Sequence, residues 1–248
     1  MLGFILARAN IREYDQRITA YTRERGKMEL LARGVKKITS RNSPFLEPPS
    51  LLELAVASGK DFGHLTTAQP VNLFSRIRSS LVKLRMSTFC IHLLTRLLPS
   101  QQPDEHIFDL VYDWLIFLNN SADPKSTTLY AFIIRFLSAL GFAPVLDRCA
   151  ICGSLHPAEP LFFSAAYGGI VEKKCLAGAT RYPAVNLSTS SLVKFNLLLT
   201  QPWERLLPLV LSPSEEAIAD SFLLFHSEGQ VAAWTAGDKY SAGVNLTM

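Results

Sequence analysis

The sequence predicts an α+β protein with several parts, in which a small β-barrel comes first and α-helices follow. Residues 1–72 contain short apolar or β-branched runs between glycine or polar turns, as is typical of strands. From about Val71, apolar residues recur every three to five positions, as one face of a helix requires. A third observation is the pair Cys149 and Cys152, which opens a short insertion between helical stretches and ends near Cys175.

Five short strands are predicted in the first segment. Three span Gly3–Ala9, Arg17–Arg23 and Lys27–Val35, and two more flank the turn at Ser58-Gly59. A closed barrel is expected, because closure removes exposed sheet edges. Gly26 separates the second and third strands, where a tight turn favours a residue that adopts a positive φ.

Five helices are predicted from apolar periodicity. They cover Leu73–Phe89 and residues 104–120, 126–141, 188–200 and 212–229, and the last four open on Asp, Ser or Thr start signals. We therefore expect a barrel over 1–72, a helical segment over 73–148, a cysteine insertion over 149–176, and returning helices over 177–248. The final residues, 233–248, have weak periodicity and read as a loosely held tail.

Positive charge is concentrated in the barrel segment. Ten lysine and arginine residues but only four acidic ones lie between Met1 and Phe45, although the whole chain carries a net charge of only +4. Alternation predicts that Ile18, Ala20 and Thr22 face the barrel core, as do Met28, Leu30 and Ala32. The opposite hairpin face then carries Arg17, Tyr21, Arg23, Lys27 and Arg33, with Arg25 in the turn between the strands.

This basic face, with a ring among its cations, favours nucleic-acid binding. Cations contact phosphates and release counterions. An exposed ring stacks on bases, and this stacking does not depend on the base sequence. The alternative is a solvated strand face whose charges only keep a sheet edge soluble.

Several stretches of the chain resemble the RecO family of bacterial recombination mediators. At the barrel they are Glu-Tyr-Asp at 13–15, "TRERGK" at 22–27, "ARGVKK" at 32–37 and "SR" at 40–41. Further on, "FLSALGFAPVLDRCAICG" at 136–153 and "FFSAAYGGIVEKKC" at 162–175 are similar to the family's cysteine module. The similarity runs in register from about Leu2 to Cys175.

The resemblance implies an OB-fold barrel, a helical bundle and a zinc-ribbon-like insertion. It also implies a mediator without a catalytic site, which binds single- and double-stranded DNA and anneals complementary strands. Together with RecR, such a mediator helps to load RecA on single strands that are coated by the single-strand binding protein SSB. By position in the family, DNA binding falls on the residues from the third strand onward: Arg33, Lys36, Lys37 and Arg41.

The cysteines predict half of a zinc site. Cys149 and Cys152 have zinc-knuckle spacing, and Cys175 supplies a third thiolate. The family's second half is another Cys-x-x-Cys pair, but here Glu172 stands three residues before Cys175, so Glu172 or His156 is the candidate fourth ligand. Two interpretations stay open: one structural zinc, or a loop that keeps its shape through packing alone.

Known catalytic motifs are missing from the sequence. It contains no G-x-x-x-x-G-K-[ST], G-x-S-x-G or H-E-x-x-H motif, so neither a nucleotide cofactor nor catalysis is expected. Two alternatives remain, a metal-dependent nucleic-acid-processing enzyme that uses the acidic helix face from Asp104 to Asp113, and a zinc-ribbon scaffold that binds only protein. The acidic C-terminal tail of SSB would suit a basic cluster on the first helix, although a solvated face explains this cluster equally well: Arg76, Arg78, Lys83 and Arg85.

Cellular location is predicted from what the chain lacks. No apolar run is long enough for a membrane span, and the N-terminus does not have the form of a secretory signal. With four cysteines and no export signal, we expect a reducing cytoplasm, in which a DNA mediator associates with the nucleoid.

Overall fold

The computed structural model of the chain describes residues 1–57, 63–155, 157, 159–176 and 184–232. His156 and the predicted tail over 233–248 lie outside these residues. By packing, the described residues divide into two units, a first that ends at Ser121 and a second that begins at Ala122.

Five strands close into a barrel in the first unit. They are β1 Leu2–Asn10, β2 Gln16–Thr22, β3 Gly26–Ala32, β4 Leu51–Ala57 and β5 Gly63–Asn72. Around the barrel the order is β1-β2-β3-β5-β4, with β3 and β5 parallel and the other neighbours antiparallel. The five-stranded barrel of the OB type is confirmed.

The inner face of the β2–β3 hairpin forms the centre of the barrel core. Ile18 lies opposite Leu30 and Ala20 opposite Met28, and three of these four side chains are fully buried. Gly26, in the turn between β2 and β3, has a φ of +68°. Glycine adopts a positive φ readily because it has no Cβ. Residue alternation therefore assigned the inner face of this hairpin correctly.

Helices follow the barrel within the same unit. The helix predicted over Leu73–Phe89 is two helices, α1 Ser75–Arg78 and α2 Leu81–Leu97, because Ser80 is extended with φ −131° and ψ 119°. Next comes α3, Glu105–Asn120, whose N-cap Asp104 accepts a hydrogen bond from the Ile107 amide at 3.0 Å.

The second unit combines helices with a small sheet. Its helices are α4 Ser126–Ala139, α5 Thr189–Thr200 and α6 Pro213–His226, and its strands are β6 Leu161–Ser164, β7 Gly169–Glu172 and β8 Val185–Leu187, in the order β7-β6-β8. Ser188 and Ser212 cap α5 and α6 as predicted. The Ser/Thr cap predicted for α4 is wrong, because Ser126 already lies inside the helix and Lys125 precedes it.

The helices of the predicted 73–148 segment belong to both packing units. The first three helices lie in the first unit and α4 in the second. Whether the four predicted segments are independent domains stays a prediction. In the described part of the chain, every helix is too short or too polar to cross a membrane.

Candidate nucleic-acid interface and metal centre

The outer face of the β2–β3 hairpin is covered by helices at its turn end. Tyr21, predicted to be an exposed stacking ring, has 0% of its surface exposed. Its hydroxyl donates a hydrogen bond to the Asp104 carbonyl at 3.0 Å, and its ring centroid lies 6.1 Å from that of Phe108 on α3. The prediction of an exposed Tyr21 is wrong, since alternation identifies the outer face of a strand but not what covers it.

Two cations at the same end also have partners inside the protein. Arg23 lies over the Phe108 ring, 4.7 Å from its centroid, and forms an ion pair with Asp109. Lys27 is half-buried, donates to the Thr95 carbonyl at 2.8 Å, and has a pKa lowered by burial. These side chains attach the hairpin to α2 and α3 and present little positive charge to solvent.

The opposite end of the hairpin is open to solvent. Four predicted DNA-binding residues are exposed there or in the loop that follows β3: Arg33, Lys36, Lys37 and Arg41. In the described part of the chain, none of these four makes an ion pair. Together with Arg12 and Tyr14 of the facing turn, we call them the open-end surface.

Two further predicted cations lie outside this group. Arg17 is near the open end of β2 but has Glu29 across the strand pair at 3.6 Å. Arg25 is exposed at the hairpin turn. A role in DNA binding for either residue stays a prediction.

Sequence reasoning missed the turn between β1 and β2. Tyr14 in this turn is 44% exposed, and the amide of Lys36 donates to its carbonyl at 3.1 Å. The Asp15 carboxylate accepts from the Gly34 amide at 2.8 Å, so the turn and the loop after β3 are held together. The Glu-Tyr-Asp stretch that marks the family resemblance contains both residues. Its position between two predicted strands was the sequence feature from which this turn could have been identified.

The cluster predicted to bind the SSB tail is partly used within the fold. Arg78 donates to the Glu47 and Pro49 carbonyls at 2.8 and 3.1 Å, and so ties α1 to the loop before β4. Lys83 is buried and donates to the Asn119 carbonyl at 3.1 Å, so the prediction that it faces solvent is wrong. Arg76 remains exposed and Arg85 half-buried.

The acidic face from Asp104 to Asp113 has structural contacts as well. Asp104 caps α3 and Asp109 pairs with Arg23. The pKa of Asp113 is raised by partial burial and by the nearby Asp109 carboxylate. Among the described residues, these acids form no group of three or more that could hold a metal ion.

The cysteine insertion does bring four ligand groups together. The thiols of Cys149, Cys152 and Cys175 and a carboxylate oxygen of Glu172 all lie within 4.8 Å of one another. Glu172 Oε2 is 3.3 Å from Cys152 Sγ and 4.0 Å from Cys175 Sγ. Edges of a zinc–thiolate tetrahedron are roughly 3.8 Å, so a small contraction would let these four side chains hold a metal ion.

Local backbone structure positions these ligands. The Cys149 and Gly153 amides take part in a tight turn, with Gly153 N donating to the Cys149 carbonyl at 2.9 Å. This turn is joined to β7 by a hydrogen bond from the Ala150 amide to the Ile170 carbonyl at 2.8 Å. Glu172 ends β7, and the single helical turn that follows carries Cys175 back to the cluster.

Charge in this cluster is compensated locally. Glu172 is buried, and its carboxylate pairs with the exposed Lys174 amine at 3.0 Å. Burial opposes ionisation of Cys149, but backbone hydrogen bonds from Cys152 and Glu172 outweigh it and lower the pKa of this thiol to about 7. Burial and the neighbouring thiols raise the pKa of Cys175 to about 11. Of the two candidates for the fourth ligand, Glu172 lies beside the three cysteines.

The first unit, a basic five-stranded barrel of the OB type followed by helices, and the second unit, which holds the cysteine cluster, define a multipart protein of the OB-fold class. Two family models match the chain, "Recombination protein O N terminal" over residues 1–74 and "Recombination protein O C terminal" over residues 78–235. The chain belongs to the RecO family.

Named relatives match over about two thirds or more of both sequences. The chain is 31% identical over 205 residues to the DNA repair protein RecO of Pelotomaculum thermopropionicum, covering 82% of this chain and 78% of the relative. It is 33% identical over 183 residues to the DNA repair protein RecO of Anaeromyxobacter dehalogenans, with 73% and 72% covered. The DNA repair protein RecO of Listeria monocytogenes is 28% identical over 173 residues, with 70% and 67% covered.

Proposed function

We propose that this protein is a non-catalytic mediator of DNA repair and recombination, which binds single- and double-stranded DNA through its open-end surface. The observation that carries the proposal is the group of exposed cations without ion-pair partners at Arg33, Lys36, Lys37 and Arg41, as far as the described residues go. Each cation that contacts a phosphate releases a condensed counterion, whichever form of DNA supplies the phosphate.

Strand annealing follows from the same chemistry. Two complementary strands repel each other through their phosphates, and a surface that neutralises phosphates lowers this repulsion. The finer roles are those that the family resemblance implies, in which the protein works with RecR to help load RecA on single strands coated by SSB. The names of the matching family models support a role in recombination in general. We place this activity in the cytoplasm, in association with the nucleoid.

Annealing in the presence of magnesium tests the proposal. Labelled complementary single strands are incubated with the protein and Mg²⁺, and both duplex formation and strand length are followed. We expect faster duplex formation with every strand intact. Shortened strands would instead support the metal-dependent enzyme, whose candidate acids Asp104 and Asp109 are occupied by a helix cap and an ion pair.

An acidic peptide such as the SSB tail would bind near α1 and α2. Unlike Arg78 and Lys83, Arg76 contacts α3 through its backbone, whose amide donates to Asn119 Oδ1 at 3.1 Å, and its side chain is exposed. Arg85 is half-buried. Replacing both by alanine should weaken binding of the isolated tail peptide, whereas Arg205→Ala in the second unit should not. Equal affinity in all three proteins would remove this surface from the proposal.

We also propose that the cysteine module binds one structural zinc ion through Cys149, Cys152, Glu172 and Cys175. Soft thiolates favour zinc, and four protein ligands close its coordination sphere. When bound, zinc would cross-link the Cys-x-x-Cys turn to the end of β7. Metal analysis of the purified protein should find one zinc per chain, and Glu172→Gln should lose it to a chelator sooner than wild type. Glu172→Cys should hold it longer, and a protein without zinc would contradict the proposal.

A further inference from the structure

The turn between β1 and β2 presents an aromatic ring to solvent. Tyr14 is 44% exposed, and Ile11 in the same turn is 49% exposed. The loop after β3 adds Ile38, whose side chain is fully exposed. Apolar groups are thus displayed at the end of the barrel that also carries the exposed cations Arg33, Lys36 and Lys37.

Hydrogen bonds hold the turn in a fixed shape. The Asp15 carbonyl accepts from the Ile11 amide at 3.1 Å, which closes the turn on itself. The Lys36 amide donates to the Tyr14 carbonyl at 3.1 Å, and the Gly34 amide donates to the Asp15 carboxylate at 2.8 Å. The backbone that carries the ring is therefore positioned before any ligand arrives, which lowers the entropy lost on binding.

One cation lies beside this ring, and others are carried by the same turn and the loop after β3. The Lys37 amine lies 5.6 Å from the Tyr14 ring centroid. Lys36, the preceding residue of the same loop, is also exposed. Arg12 is exposed in the turn, with only a 3.9 Å approach to Asp15. Glu13 is the other acid of the turn, so the acids here are outnumbered by Arg12, Arg33, Lys36 and Lys37.

A ring with cations beside it matches the chemistry of one ligand class. Each nucleotide of a single strand offers a base with an accessible face and a phosphate a few ångströms away. In a duplex the faces of the bases are already stacked on one another, so the cations find partners but the ring does not. An acidic protein segment would satisfy the cations without requiring the aromatic face.

We infer that Tyr14 is a base-stacking platform, which gives the open-end surface its preference for single-stranded over double-stranded DNA. This inference rests on the proposed function, because the cations must first bind the phosphates. It assigns to Tyr14 the stacking role that sequence alternation had given to Tyr21.

The test compares wild type, two Tyr14 variants and one control variant with three oligonucleotides by fluorescence anisotropy. The proteins are wild type, Tyr14→Leu, which keeps apolar bulk but loses the ring, and Tyr14→Phe, which keeps the ring. The oligonucleotides are a single strand of about 12 nucleotides, its abasic counterpart and a hairpin duplex. Tyr112→Leu serves as the matched control, because Tyr112 is another exposed ring of the first unit and lies on α3.

We expect Tyr14→Leu to weaken binding of the ordinary single strand by roughly 5- to 150-fold. Binding of the abasic strand and of the duplex should change less than about twofold, because neither offers a free base. Tyr14→Phe and Tyr112→Leu should bind like wild type. Because the turn is exposed, the thermal unfolding midpoint should not move in either Tyr14 variant.

Two results would overturn the inference while leaving DNA binding intact. The first is wild-type affinity of Tyr14→Leu for the ordinary single strand. The second is an equal loss on all three oligonucleotides, which would reduce Tyr14 to a shape-keeping residue of the turn. If wild type bound none of the oligonucleotides, the proposed function itself would fail, and the two failures are thus distinguishable.

Discussion

The two ends of the β2–β3 hairpin both carry basic residues, but they differ in whether other parts of the protein cover them. At the turn end, Tyr21, Arg23 and Lys27 contact α2 and α3, and their polar groups are satisfied within the protein. At the open end, Arg33 and the loop that follows β3 remain in solvent. A cation on a strand therefore does not identify a DNA contact until its neighbours are known, and packing against distant helices makes the distinction.

Substitution of the glycine at each end is expected to show the largest difference in stability between the two ends. A Cβ at Gly26 would lie 2.3 Å from the Gln102 carbonyl oxygen, at a φ of +68°. We expect Gly26→Ala to lower the free energy of unfolding by about 3 kcal/mol, since backbone has to move as well as accept strain. Urea denaturation measures this loss.

Gly34 at the open end supplies the control. Its φ is +62°, but the nearest atom to an added Cβ is Lys37 Cδ at 3.6 Å, an ordinary contact. Gly34→Ala should cost about 1 kcal/mol through the left-handed backbone alone. Equal losses for the two variants would mean that the loop between α2 and α3, which contains Gln102, does not press on the turn end.

Tyr21 gives the next largest effect. Tyr21→Phe removes the hydrogen bond from the phenol to the Asp104 carbonyl, which keeps the Phe108 amide as its other donor at 3.0 Å, so we expect a loss of about 1 kcal/mol in unfolding free energy. Affinity for single-stranded DNA should be unchanged, as measured by anisotropy in the same buffer. A large loss of affinity with full stability would return Tyr21 to the DNA-binding surface.

Alkaline pH probes the same residue without mutation. Burial raises the pKa of Tyr21 from 10.0 to about 12, so the folded protein keeps a proton that the unfolded chain releases. Stability should therefore fall as the pH rises from about 10 to about 12. Denaturation curves of Tyr21→Phe should show a shallower fall over this interval, and parallel curves for the two proteins would contradict burial of the phenol.

The smallest expected effect is the loss of single cations. Arg33→Ala should weaken binding of single-stranded DNA about fourfold at about 0.15 M salt, since one phosphate contact is lost. Arg25→Ala, an exposed cation at the turn end, should change affinity by less than about twofold. Competition between the two variants for one labelled strand resolves this difference, and reversed effects would move the interface to the turn end.

Much of the fold was predictable from local patterns. Alternation identified the barrel strands and the inner-face residues Ile18 and Leu30, while Ser188 and Ser212 marked helix starts through their capping chemistry. Such features depend on residues close in the sequence, which is why they could be recognised without the structure.

What could not be predicted depends on contacts between distant residues. Tyr21 is buried by Asp104 and Phe108, more than eighty positions further along the chain, and Lys83 is buried beside Asn119 on α3. The fourth ligand was left open between two residues because only the return of β7 brings Glu172 to the cysteines. Tyr14 was missed because a turn between strands has no periodicity that marks an exposed ring.

The open-end cations are proposed to bind DNA phosphates, and a salt titration measures this binding through the counterions that it releases. The affinity for single-stranded DNA is measured against salt concentration for wild type and for a variant in which Arg33, Lys36, Lys37 and Arg41 are all alanine. The slope of log affinity against log salt should be shallower in the variant by roughly 3, at about 0.7 for each lost phosphate contact. An identical slope in the two proteins, or a wild-type affinity that does not depend on salt, would contradict the claim.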